Sequence, residues 1–197
     1  MNEYKRILDG VKILSEGRIF RLLVKTMEYV KNNKKGVREI EFAERSPGVR
    51  GIVCRNGSIL MIKEFRSEHN NWDYRLPGGK VFDRLSDYLR SLEMGNIEKH
   101  VEFAVEKELL EEVGIKIGTP KLLHRSVAGA TIIWDLFYFE VSEFTYLENG
   151  LSLEEDEIIY PEWKTYEEVK QLCLQGNVME DRTVGVLLRY ILSKELQ

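Results

Sequence analysis

The stretch KELLEEVGI, Lys107 to Ile115, places Glu108, Glu111 and Glu112 close together and stops at Gly114. If the stretch is helical, its carboxylates occupy the last turn, where the helix dipole already carries partial negative charge. That placement costs stability unless something positive sits nearby. At about 100° per residue with Glu108 at zero, Glu112 falls at about 40° and Glu111 at about −60°. Val101, Ala104 and Val105 lie on the same side in earlier turns, and Leu109 and Val113 continue the apolar stripe. The carboxylates therefore lie on or beside the face that should meet a sheet.

Two readings of these acids compete. In the first they form a solvated acidic edge, paired with Lys107, Lys116 or Arg125. In the second, carboxylates clustered beside apolar surface repel one another and titrate high unless a cation is bound. Hard oxygen donors of that kind suit Mg²⁺ or Mn²⁺. The upstream RLPGGK, Arg75 to Lys80, favours the second. It places Pro77 and two glycines after a strand, in a loop whose backbone can approach a phosphate or lend a carbonyl to a metal. Trp72 and Tyr74 stand beside it, and Lys63, Arg66 and Arg75 supply positive charge.

The chain around these motifs has 197 residues, 43% hydrophobic and 31% charged, enough for one globular domain with an appended arm. Its net charge of −4 argues against a nucleic-acid partner, which would want a basic face. A polyanionic substrate must then be met by local cations or metal ions. Cys54 and Cys173 have no ligand spacing and read as reduced thiols, and His69, His100 and His124 are scattered. No signal peptide opens the sequence and no apolar run reaches the roughly 18 residues of a membrane span, so the expectation is a cytoplasmic protein without a membrane partner.

The first third alternates as strands do: Val11–Ser15, Arg18–Val30 and Val37–Arg45, with a polar turn over Asn32–Gly36. Gly48–Arg66 repeats the pattern around Asn56-Gly57, an Asn-Gly hairpin signal. Leu85, Tyr88, Leu89 and Leu92 predict a short helix over Asp83–Glu93, followed by a longer one from Glu98 to Val113. Lys121–Val127 and Thr131–Phe144 read as strands, and Gly150–Ile158 as an acidic loop. Thr165 with Glu168 has capping-box spacing, and Asp181–Leu196 reads as a closing helix. Strand hairpins on both sides of a central helix predict an α/β sandwich with a mixed sheet.

On these residues the sequence resembles the Nudix hydrolases. Their signature is a glycine loop and then a helix bearing Arg-Glu-apolar-any-Glu-Glu-any-Gly-apolar. Lys107–Ile115 matches every specified place except lysine for arginine, and Gly78-Gly79 corresponds to the loop. EGRIFRLL, VREIEFAERSPGV, MIKEFR, LPGG and EEDEII followed by Trp163 resemble the ADP-ribose and ADP-sugar pyrophosphatase branch, in the same order. The resemblance implies a Nudix α/β/α sandwich over residues 46–197. It also implies an N-terminal strand region, 1–45, that serves as the arm of a homodimer. Gly79 and Lys107 are 28 residues apart, about twice the family's spacing, which marks an insertion near 81–95.

The resemblance also implies roles. Glu108, Glu111 and Glu112, with the Gly78 carbonyl, would hold Mg²⁺ or Mn²⁺, and Lys107 would orient a glutamate. Glu155 or Glu157 of the acidic loop would act as general base. Arg66, the Gly78-Gly79 backbone, Trp72, Phe20 and Arg38 would meet the nucleotide or nucleotide-sugar substrate. The implied reaction splits a nucleoside diphosphate derivative into a nucleoside monophosphate and a sugar phosphate. A Nudix enzyme for nucleoside triphosphates and a Nudix-fold binding module without turnover are the rivals. Retention of all three helix glutamates argues against the latter.

Overall fold

A computed structural model of the chain describes residues 3–148, 150–153 and 157–196. The chain divides into two compact units. The first contains Met1–Pro47, Phe82–Ile97 and Val127–Asp135, and the second Gly48–Val81, Glu98–Ser126 and Leu136–Gln197. The segment expected as an insertion near 81–95 thus groups with the N-terminal strands.

In the first unit, β1 (Glu3–Glu16), β2 (Phe20–Lys31) and β3 (Lys34–Arg45) form an antiparallel meander. Its tight turn is Asn32-Asn33, with φ of 51° and 60°, the geometry of a type I′ hairpin. The glycine expected to serve that turn, Gly36, instead sits within β3 opposite Tyr29. Two asparagines tolerate the left-handed region well enough to displace it. Within the segment expected as an insertion lies α1 (Leu85–Met94), whose Leu85 N–H donates to the Arg18 carbonyl at 2.9 Å.

The second unit is built on a mixed sheet in the order β12-β5-β4-β10-β8, with β6 also on β5. Its strands are β4 (Gly48–Arg55), β5 (Ser58–Arg66), β6 (Asn71–Arg75), β8 (Lys121–Ser126), β10 (Leu136–Val141) and β12 (Ile159–Thr165). β10 runs parallel to β4 and the other pairings are antiparallel. The α/β class with a mixed sheet is as predicted. One strand expected over Thr131–Phe144 is instead three. β9 (Ile132–Ile133) pairs with β3 in the first unit, β10 enters the main sheet, and β11 (Phe144–Tyr146) pairs with β7 (Ile115–Ile117). The breaks fall at Trp134-Asp135 and Ser142-Glu143, whose polar residues also fit the alternation of a single strand. β12 had no sequence assignment; it contains Pro161, which an edge strand tolerates.

The core of this unit places the site. β4 and β5 pair only at Cys54–Ile59 and Arg55–Ser58, next to the Asn56-Gly57 turn, and then part. The vacated edge of β4 is taken by the loop after β6. Val49 N–H donates to the Gly79 carbonyl and Gly51 N–H to the Pro77 carbonyl, both at 2.9 Å. α2 (Ile97–Val113) lies against β4 at Gly51, where a Cβ would come 2.9 Å from a Leu109 methyl. Glycine there lets the helix approach closely and buries Leu109 completely. After α3 (Tyr166–Leu174), whose capping box at Thr165 and Glu168 forms as predicted, residues 177–179 attach to β6. Tyr74 N–H donates to the Asn177 carbonyl, and Met179 N–H to Asp73. This delivers the start of α4 (Asp181–Glu195) to the same end of the sheet.

Candidate active site

Leu109 is seated on Gly51, and its neighbour Glu108 is turned toward the glycine loop. A Cβ on Gly79 would run into the Glu108 carboxylate, so the absent side chain makes room for the acid. Gly78 has φ of 143°, and a Cβ there would strike the Val49 carbonyl oxygen. Gly78 is therefore demanded by the backbone, and Gly79 by the position Glu108 takes. Glu112, one turn after Glu108, is 7% exposed and accepts a 2.6 Å hydrogen bond from the Gly78 N–H.

Burial pushes the Glu108 carboxyl up to about 7, with the charges of Glu111 and Glu157 adding and Lys107 and Arg50 opposing. Burial likewise pushes Glu112 up to about 8, with Glu108 adding, while the Gly78 N–H, Arg50 and Arg75 pull it down. Glu111 is half-exposed and paired with Lys107, Nζ to Oε2 3.1 Å, one helical turn back. Among the described residues no three His, Cys, Asp or Glu side chains are already gathered as a metal site. Glu111 is turned to Lys107, and Glu112 is engaged by the loop. The donor chemistry nevertheless fits a divalent cation: two hard-oxygen carboxyls, each raised by burial and by the charge of neighbouring acids, beside a backbone loop.

The remaining expected residues fall in several places. Glu157 lies close enough to Glu108 for its charge to act there, while Glu155 lies outside the described residues. Arg66 reaches Glu64 at 2.8 Å and also pairs with Glu68; Arg75 meets the other Glu64 oxygen at 2.5 Å. Trp72 packs edge-on to Phe65 and beside Tyr160, with Lys63 over its ring. Strand alternation puts it on the face of β6 opposite Arg75. Phe20 and Arg38 belong to the N-terminal unit. The Arg45 guanidinium covers the Phe20 ring, and Arg38 stands opposite Met27.

Sequence reasoning passed over Arg50 and Glu180. Arg50 is 5% exposed in the middle of the buried strand β4, and donates from Nη1 to the carbonyls of Val49 (2.8 Å) and Gly78 (3.1 Å). Its Nε and Nη2 face the two Glu180 oxygens at 3.2 and 3.5 Å. Burial works against the Glu180 charge, but Arg50, the Thr183 hydroxyl and Arg75 outweigh it and hold the carboxyl below its ordinary range. The signal was available: a charge inside GVRGIVC, where every neighbour is apolar or glycine, demands a buried partner.

Comparison with known proteins agrees with this arrangement. A family model described as the NUDIX domain matches residues 44–182. A solved structure described as "Crystal structure of ADP compounds hydrolase" is similar in fold, with a TM-score of 0.66 and 17% identity. The match covers 98% of this chain and 94% of that one. No curated protein matches the chain in sequence. Among the described residues no helix is long and apolar enough to cross a membrane.

Proposed function

Because the chain belongs to the Nudix family of pyrophosphohydrolases, we propose that it cleaves the pyrophosphate bond of ADP-ribose or a nucleotide sugar, yielding a nucleoside monophosphate and a sugar phosphate. The observation that carries this reading is the Glu108–Glu112 pair, with Glu112 buried and Glu108 half-buried against the Gly78-Gly79 backbone and both carboxyls raised. A lone acidic edge would not be built into the core in this way. The fold's likeness to a hydrolase of ADP compounds supports the choice of substrate class.

Glu108, Glu112 and Glu111 would hold Mg²⁺ or Mn²⁺, with the Gly78 carbonyl beside them. A divalent cation there supplies charge neutralisation of the diphosphate and polarisation of the phosphorus under attack. Lys107, at 3.1 Å from Glu111, restrains that carboxylate with a single point contact, less firmly than a planar guanidinium fork. Arg66, oriented by Glu64 and Glu68, would contact the substrate. Glu157 takes the proton from the attacking water; the water oxygen bonds to one phosphorus, and the bridging oxygen leaves with the other phosphate. Glu155 is the second choice for that base. A homodimer belongs to the same reading, and sedimentation velocity would check it.

The decisive experiment follows phosphate-bond hydrolysis over ADP-ribose, nucleotide sugars, dinucleoside polyphosphates and nucleoside triphosphates, with Mg²⁺ or EDTA. Glu112→Gln should lower kcat by at least about 100-fold, and EDTA should abolish turnover. Tight nucleotide binding with no turnover of any substrate would instead select a binding module.

A further inference from the structure

Arg50 is a buried cation that the reaction described above does not use. Its contacts fall on the glycine loop on one side and on Glu180, the residue before α4, on the other. We infer that Arg50 is a positioning residue: it fixes the Gly78 backbone between Glu180 and Glu112, and thereby sets where the buried carboxylate and the glycine loop stand relative to each other.

The geometry for this is a continuous chain of hydrogen bonds. Thr183 Oγ1 donates to Glu180 at 2.6 Å, so the Tyr138 hydroxyl, 3.0 Å from the same oxygen, is the donor to Thr183. Glu180 accepts the Arg50 fork, and the third Arg50 nitrogen donates to the Gly78 carbonyl. The Gly78 N–H then donates to Glu112. Gly78 is thus gripped on both of its peptide groups, by a cation on the oxygen and an acid on the nitrogen. Glycine needs such a grip, since its backbone has the most freedom to lose and its φ of 143° is one it shares with few other residues.

The guanidinium is suited to the task in a way a lysine is not. It spends one edge on Glu180 and another corner on two carbonyls, with its plane fixed. A carbonyl oxygen has two lone pairs, so the contact with Arg50 leaves Gly78 a second one for the loop's other work. The half-buried partner Glu180 explains why the arrangement survives in a core strand: each charge satisfies the other.

This inference rests on the proposed hydrolase reading, and its test keeps the two apart. Full-length Arg50→Met, Arg50→Lys, Glu180→Gln and the double variant Arg50→Met/Glu180→Gln are compared with wild type. Arg50→Met alone strands the half-buried Glu180 carboxylate and can fail to fold; the double variant removes that charge. In the double variant a cooperative melt like wild type is expected, with kcat down by about 100-fold and KM for ADP-ribose changed by less than about threefold. Arg50→Lys should recover part of kcat. A second readout needs no turnover: the Gly78 amide in the metal-free protein should exchange at least about tenfold faster in the double variant.

A double variant with wild-type kcat, a loss confined to KM, or a Gly78 amide that exchanges as in wild type would overturn the inference. If the wild type hydrolyses nothing in the panel, the proposed function fails by itself, and Gly78 exchange still decides the role of Arg50.

Discussion

Two hairpins in this chain begin with the same turn chemistry and end differently. β2 and β3 leave Asn32-Asn33 and stay paired without a break from Lys31–Lys34 to Phe20–Arg45, yet much of their surface remains open. β4 and β5 leave Asn56-Gly57 and part after two residue pairs, yet β4 is buried along nearly its whole length. Ladder pairing and burial are therefore separate quantities. The N-terminal hairpin holds itself together through its backbone, and the second gives up its own ladder so that another loop can occupy the edge. That exchange places Gly78 and Gly79 beside the helix glutamates.

The comparison breaks first at Gly78. Gly78→Ala puts a methyl group into the Val49 carbonyl and demands an unfavourable φ. It should cost about 2–4 kcal/mol in stability and at least about 100-fold in kcat, measured by urea unfolding and steady-state kinetics. If Gly78→Ala is as stable and active as wild type, the loop is not the edge partner described.

Next comes pH. Glu108 and Glu112 titrate at about 7 and about 8 in the fold, against an ordinary value of 4.5. Their protonated forms favour the folded state, so this contribution is complete below about pH 4.5 and is lost as pH rises through 7 to 8. In EDTA the protein should lose several kcal/mol, about 7 at most, between pH 5 and 9, seen as a falling Tm. Mg²⁺ should flatten the curve at the alkaline end; an unchanged slope with Mg²⁺ would count against metal binding by these groups.

Gly51→Val should be milder, about 1–3 kcal/mol, by forcing Leu109 and α2 away from β4. A kcat loss larger than the stability loss accounts for would show how finely the helix must be seated. Smallest of all, Val37→Thr on β3, where Val37 is 63% exposed, should change stability by no more than about 0.5 kcal/mol. A larger loss would reveal that this face is covered in solution.

The contrast also explains what the sequence makes legible. The glutamate helix, the Asn-Gly hairpin and the Thr165 capping box are local patterns, each complete within a few residues, and all are present. The grouping of α1 with the N-terminal strands is not local: it depends on Leu85 meeting the Arg18 carbonyl across a long stretch of chain. The Arg50–Glu180 pair joins residues that no periodicity relates. Only the cost of a buried charge pointed to it. The Thr131–Phe144 run shows the converse: Asp135 and Ser142-Glu143 stand at its two breaks, but a polar residue in an alternating run reads equally well as a solvent-facing position of one strand.

The edge of β4 has one more consequence. A strand whose backbone donors stand unpaired is a template on which a second chain can add itself. Here β10 takes one side of β4, while the other is shared between the first residues of β5 and the 77–79 loop. The loop that brings the glycines to the carboxylates is also the cover that denies this strand to a neighbouring molecule. A variant that loosens it should therefore aggregate through β4 as well as lose turnover, and the two defects should rise together across a series of loop substitutions.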